Sequence, residues 1–186
     1  MNFKNYFNGR ILLINNKKLN DKRGSFFESY NFEKLNNLNI KGKFYQDNIS
    51  ITKKRGTLRG LHYQKRPFSQ NKLITVVQGK IQDIVIDLRK NSKTFGKYQS
   101  FIMSANKSNQ LYVSNHFAHG FLTLENNTIV TYKVDKKYSK KHEITILWSD
   151  KGLKIKWHNK KNLILSDKDK LGLNFIEIFK DKNLYL

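Results

Sequence analysis

Leu73-Ile74-Thr75-Val76-Val77-Gln78-Gly79-Lys80-Ile81-Gln82-Asp83-Ile84-Val85-Ile86-Asp87-Leu88 is the stretch that decides the fold. Two apolar, β-branched runs flank Gln78-Gly79, which reads as a hairpin turn between two strands. In the second run, Ile84, Ile86 and Leu88 share one face, with Asp83 and Asp87 opposite; Val85 breaks the pattern. Similar segments recur on either side. Arg10 to Ile14 is an apolar run, and Arg23 to Tyr30 is extended. Leu111 to Val113 and Gly120 to Leu124 read as strands. Asn126-Asn127 turns into a strand from Thr128 to Val134, and another follows from Glu143 to Trp148. Asn31 to Leu38 differs: Phe32, Leu35 and Leu38 have helical spacing behind Asn31, a residue suited to capping, so a short helix is expected. Many short strands with closely spaced turns indicate an all-β sandwich or barrel. Phe175 to Leu186 mixes apolar and charged residues and is expected to pack on it as a short helix or extended tail.

The 186 residues fit one domain, here taken as 1–186 with about 170–186 as the tail. With 38% hydrophobic and 13% aromatic residues, the chain can bury a real core. It has no long apolar run, so no membrane partner is expected. Met1-Asn2-Phe3-Lys4 lacks the apolar core of a signal peptide. Cysteine is absent, which excludes disulfides, thiol nucleophiles and cysteine metal sites and suits a cytoplasmic location. The formal net charge of +22 attracts anions, with nucleic acid, anionic lipid and nucleotide phosphate as candidate classes. Yet the lysines are spread along the chain, in pairs such as Lys17-Lys18, Lys53-Lys54, Lys136-Lys137 and Lys160-Lys161. That spread describes solvated loops rather than a nucleic-acid footprint, so no nucleic acid partner is expected. The field still favours capture of a small anion.

Two histidine clusters stand out: Arg59-Gly60-Leu61-His62-Tyr63-Gln64 and Phe117-Ala118-His119-Gly120-Phe121. With Lys72 and Tyr132 in similar strand contexts, they suggest a cavity that binds an anion and moves protons. An ordinary imidazole has a pKa of ~6.5 and can accept a proton near neutral pH. A zinc site from His62, His116 and His119 would need all three on one side. Strand residues three apart point to opposite faces, and no His-x-His pattern followed by glutamate is present, so no metal is expected.

Seven motifs occur in order: Arg23-Gly24-Ser25-Phe26-Phe27-Glu28; Gln46-Asp47-Asn48; Leu58 to Gln64; Asp87-Leu88-Arg89 with Thr94-Phe95-Gly96; Phe117 to Phe121; Tyr132-Lys133; and Leu165-Ser166-Asp167-Lys168-Asp169. Together, from about Arg10 to Asp169, the chain resembles the dTDP-4-dehydrorhamnose 3,5-epimerase family. The resemblance implies a jelly-roll, cupin-type double-stranded β-helix with a few short helices. It also implies a homodimer without metal or other cofactor. The implied reaction inverts C3 and C5 of a nucleotide-linked 4-keto-6-deoxy-hexose, probed by a base on one face and an acid on the other. The product would be an L-rhamnose-type precursor for surface polysaccharide. Ser114 and His116 depart from the proline and glycine usual before the second histidine motif.

By that resemblance His62 is the general base and Asp169 its carboxylate partner, with Asp167 nearby as a competitor for that role. Tyr132 is the opposite-face acid, and Lys72 is the cation at the keto oxygen, where negative charge develops. His119 contacts the sugar. Arg59 and Arg23 hold phosphate, for which a planar guanidinium is suited. Gln46 and Asn48 meet sugar or base edges. Phe26 and Glu28 belong to the nucleotide end, Glu28 often from the dimer mate, and Tyr138 stacks on the base. Glu143 and Lys168 complete the substrate-binding set. Two other readings compete: an epimerase that inverts a single centre of another nucleotide deoxysugar, and a non-catalytic basic β-barrel that binds polyanions.

Overall fold

The computed structural model describes residues 2–180. In chain order the elements are β1 (Asn2–Tyr6), β2 (Ile11–Asn15), β3 (Leu19–Asp21), β4 (Gly24–Phe26), α1 (Phe32–Asn37), β5 (Gln46–Thr52), β6 (Leu58–Gln64), β7 (Lys72–Gln78) and β8 (Lys80–Asp87). There follow β9 (Tyr98–Ser104), β10 (Asn109–Val113), β11 (Phe117–Thr123), β12 (Thr128–Val134), β13 (Glu143–Thr145), α2 (Asp167–Lys170) and α3 (Phe175–Lys180). One sheet has six strands in the order β1-β2-β10-β7-β12-β5, the other five in the order β13-β6-β11-β8-β9. They face each other as the two halves of a jelly roll. β3 and β4 form a separate hairpin.

The expected hairpin at Gln78-Gly79 does not form. β7 pairs with β10 and β12 in one sheet, and β8 pairs with β11 and β9 in the other. Both runs are interior strands with both edges paired to other strands, so the turn is a corner between sheets. Gly79 takes φ of +78°, and a Cβ there would stand 2.5 Å from Thr128 Oγ1. Glycine therefore lets the chain round the corner against the start of β12.

Both faces of the five-stranded sheet are covered. Between the sheets, Ile81, Val85, Phe101, Phe117 and Phe121 meet Ile74, Val76, Leu111, Val113 and Val130. On the outer face, Ile84, Ile86 and Leu88 meet Ile146, Leu153, Ile155, Trp157, Phe175 and Ile178 of the C-terminal segment. Val85 is thus no exception: it and Asp83 point between the sheets, while Ile84 and Ile86 point outward. Gln82, also outward, ties that layer down by donating to the Lys156 carbonyl (2.8 Å) and accepting from the His158 amide (2.6 Å). On the outer face of the six-stranded sheet, Leu35 and Ile40 pack on Leu12, Ile14, Leu73 and Tyr112. The helix that delivers Leu35 starts as expected: the Asn31 side chain accepts from the Lys34 amide at 3.0 Å, a cap worth about 1 kcal/mol.

The strand expected over Glu143 to Trp148 is shorter, Glu143–Thr145; just beyond it the Ile146 amide still donates to the Leu61 carbonyl at 2.8 Å and Ile146 forms a parallel bridge to Leu173, where the chain leaves β6. The expected C-terminal element is helical where described. Phe175 and Ile178 are buried in the outer layer; residues 181–186 of the expected tail lie outside the described residues.

One irregularity shapes the site. β6 carries an extra residue against β11: His62 lies opposite His119, but Arg59 rather than Gly60 lies opposite Phe121. This bulge places Arg59 and His62, three residues apart, on the same inward face, whereas Leu58 and Leu61 both point into the outer layer. Gly60 has φ of +123°, and a Cβ on it would be 2.5 Å from Gly120 Cα. Gly60→Ala is therefore expected to cost about 3 kcal/mol or more. Chemical denaturation would show this as a lowered midpoint; an unchanged midpoint would contradict the packing described.

Candidate active site

His62 sits on β6, next to the edge strand of the five-stranded sheet, flanked by His119 of β11 and Thr145 of β13. Its Nε2 lies 2.6 Å from Asp169 Oδ1. The main chain explains how a residue 107 positions later arrives there. The Ile164 amide donates to the Gly56 carbonyl and the Leu58 amide to the Ile164 carbonyl, each at 2.9 Å, so this segment runs beside the start of β6. Ser166 then caps α2 by accepting from the Asp169 amide at 3.2 Å. Asp169 is 3% exposed. Burial works against its ionisation, but the hydrogen bond and charge of His62, the Ser166 contact and Lys168 outweigh it, so its pKa is lowered. Asp167, the competitor, points to solvent and pairs with Lys170 at 2.9 Å. With Nε2 committed to Asp169, Nδ1 is the ring nitrogen left for a ligand.

A cavity of about 520 Å³ opens in front of this pair. His62, Arg59 and His119 line it from the five-stranded sheet. Tyr132, Lys72 and Ser50 line it from the six-stranded sheet, and Tyr138, Glu143 and Lys168 stand at its side. The imidazole and the phenol therefore belong to opposing walls. Burial raises the pKa of Tyr132, Glu143 adds to the rise and Arg59 opposes it. The phenol accordingly keeps its proton at neutral pH. Removal from water lowers the Lys72 pKa to about 8, against the pull of Asp135, Glu143 and Asp83. Glu143 accepts from Tyr138 (3.0 Å) and Lys168 (2.8 Å). Burial disfavours its charge, but the Lys168 hydrogen bond, His62 and Tyr138 hold its pKa below the ordinary value.

Sequence reasoning missed Asp83. It is fully buried, and its Oδ2 lies 2.8 Å from His119 Nε2. Burial raises its pKa, with His119 and Lys72 opposing. The two histidines thus each have a carboxylate behind them, a standard way to fix ring orientation. The signal was present as an acid in an apolar strand, but only the sheet pairing shows which histidine it serves. His116 lies in the turn before β11 rather than on a strand, so the strand-face argument did not apply to it. That turn forms without the usual proline and glycine, closed by the Phe117 amide donating to the Ser114 carbonyl at 3.2 Å.

Other expected residues lie elsewhere. Gln46 donates to Asn48 Oδ1 at 2.8 Å, and neither lines the cavity; Asn48 borders a neighbouring one. Arg23 and Phe26 are on the exposed β3–β4 hairpin, where Arg23 pairs with Asp21 at 2.6 Å and Phe26 is 69% exposed. Glu28 is engaged by Lys34 and Asn31 outside the cavity.

A family model described as dTDP-4-dehydrorhamnose 3,5-epimerase matches residues 8–177. The chain is 43% identical over 170 residues to the protein of that name from Shigella flexneri, covering 90% of this chain and 92% of that one. The fold is similar to that of the dTDP-4-dehydrorhamnose 3,5-epimerase of Bacillus anthracis str. Ames, solved with TDP and PPi bound (TM-score 0.90, 44% identity, 93% of this chain and 98% of that one). It is also similar to dTDP-6-deoxy-D-glucose-3,5-epimerase from Legionella pneumophila Philadelphia 1, solved with dTDP-4-keto-L-rhamnose (TM-score 0.93, 34% identity, 99% and 96%). With match and geometry in agreement along nearly its whole length, the chain belongs to the dTDP-4-dehydrorhamnose 3,5-epimerase family.

Proposed function

We propose that this chain is an isomerase that inverts C3 and C5 of a dTDP-linked 4-keto-6-deoxy-hexose in L-rhamnose biosynthesis. The observation that carries this reading is the pairing across one cavity: His62 backed by Asp169 on one wall, Tyr132 on the other. The 4-keto group acidifies the hydrogens on both adjacent carbons. His62 Nδ1 takes one of them, and the electron pair moves onto the keto oxygen as an enolate facing Lys72. Tyr132 delivers its proton to the same carbon from the opposite face. Imidazolium and phenolate then exchange protons with water, which resets the pair for the second carbon. Arg59 and Lys168 attract the diphosphate, His119 meets the sugar, and Tyr138 offers its ring to the base.

A homodimer accounts for the residues outside the cavity. Arg23, Phe26 and Glu28 reach the nucleotide end of a partner's cavity, and the exposed apolar side chains of Leu19, Phe26, Ile49 and Ile51 provide contact area. Gln46 and Asn48 serve the same end. Residues 1–186 act as one catalytic unit in the cytoplasm, where charged nucleotide sugars are made and kept.

The test is turnover of dTDP-4-keto-6-deoxyglucose in heavy water, read by proton NMR. Deuterium at C3 and C5 is expected. Deuterium at one carbon would select the single-centre epimerase. No incorporation, together with salt-sensitive binding to any duplex, would select the polyanion-binding barrel.

Lys72 adds a pH prediction. Between about 8 and the ordinary 10.5, the unfolded chain holds a proton on Lys72 that the folded protein lacks. This side chain therefore makes stability rise with pH in that window. Activity runs the other way, because the cation at the enolate is lost. We expect kcat/KM to fall above pH about 8, and Lys72→Arg to extend the plateau upward. An identical alkaline limb in both proteins would exclude Lys72 as its source.

A further inference from the structure

We propose that Ser50 binds substrate, its hydroxyl donating to a phosphoryl oxygen of the phosphate that adjoins the sugar. The inference rests on the nucleotide-sugar reading above and names a contact within that site. Ser50 lies on β5, opposite Val130 of β12 and diagonal to Tyr132. It faces the space between the sheets, as Val130 does, and lines the same cavity as His62, Arg59 and Tyr132. Its Oγ is buried and has no hydrogen-bond partner among the described residues. A buried hydroxyl without a partner is costly to the fold, and few native groups are left so.

Its neighbours indicate what completes it. Thr52, two residues along the same face, accepts from Arg59 Nε at 3.3 Å and so fixes that guanidinium across the cavity. Two strand residues span about 7 Å. Ser50 therefore sits between the anchored cation and the phenol that faces the sugar ring. The part of the ligand bridging those two points is the junction of diphosphate and sugar. An anionic phosphoryl oxygen is the strongest acceptor there for a neutral donor.

The test compares wild type and Ser50→Ala by calorimetry against dTDP and dTMP, with thermal unfolding of the ligand-free proteins. A hydroxyl kept for the sugar-side phosphate predicts that the dTDP Kd rises about tenfold, while the dTMP Kd is unchanged. The ligand-free Tm should stay level or rise, because the unpaired group is gone. Ser50→Thr should restore most of the dTDP affinity. An unchanged dTDP Kd, equal weakening of both nucleotides, or a lowered Tm alongside the affinity loss would each overturn the assignment. Failure of the wild type to bind dTDP would reject the underlying nucleotide-sugar reading instead.

Discussion

His62→Asn lowers kcat by about 10³-fold, within the 10²–10⁴ range expected for a positioned general base, and leaves dTDP binding nearly unchanged. Asparagine reaches only as far as Nδ1 and does not meet Asp169, but Ser166 and Lys168 still support that carboxylate and the fold persists. What asparagine cannot do is accept a proton from carbon. Asp169 acts only through this ring, so Asp169→Asn should cost activity in the wild type and add almost nothing in the His62→Asn background. Steady-state turnover with dTDP-4-keto-6-deoxyglucose and calorimetry with dTDP check both statements. A kcat within tenfold of wild type, or additive losses in the double variant, would remove His62 from the chemistry.

Tyr132→Phe separates proton removal from inversion. The ring remains, with its packing between Val130 and Val134 of the same strand, but its phenolic proton is lost. His62 can still form the enolate and return a proton to the face it came from. The variant should therefore exchange substrate hydrogen for solvent deuterium while inversion falls by about 10²-fold or more. Proton NMR in heavy water reads both outcomes in one sample: loss of the ring-hydrogen signals without appearance of the epimer. Inversion at the wild-type rate would show that another group delivers the proton. Loss of exchange together with inversion would show that the phenol is needed to form the enolate at all.

The strands were legible in the sequence because an alternating or apolar run leaves a local signature, and α1 was legible because Asn31 caps it. Strand partners were not. Leu73 to Leu88 reads as a hairpin by every local rule, yet β7 and β8 lie in different sheets, because β7 is paired on both edges by β10 and β12 and β8 by β11 and β9. Periodicity grouped Ile84, Ile86 and Leu88 on one face of β8 but does not say which face is inner. It cannot indicate that the C-terminal segment covers the far side of the sheet, which makes Ile84 and Ile86 outward and gives Asp83 to His119. The bulge at Gly60 is the sharpest case. A strict two-residue repeat sets Arg59 and His62 on opposite faces, and one extra residue brings both to the cavity. His62 and Asp169 could be paired from the ordered motifs, and the 2.6 Å contact follows that pairing. Ser50 carried no signal at all, because an unpartnered hydroxyl is visible only when its surroundings are known.

The most direct measurement of the central claim is a crystal structure with a dTDP-linked 6-deoxy-hexose that lacks the 4-keto group and so cannot react. The account predicts the ring held between the two sheets. His62 Nδ1 should stand over one face and the Tyr132 hydroxyl over the other, each within about 3.5 Å of the carbons flanking C4. A sugar seated with both groups on the same face, or bound away from one of them, would contradict it.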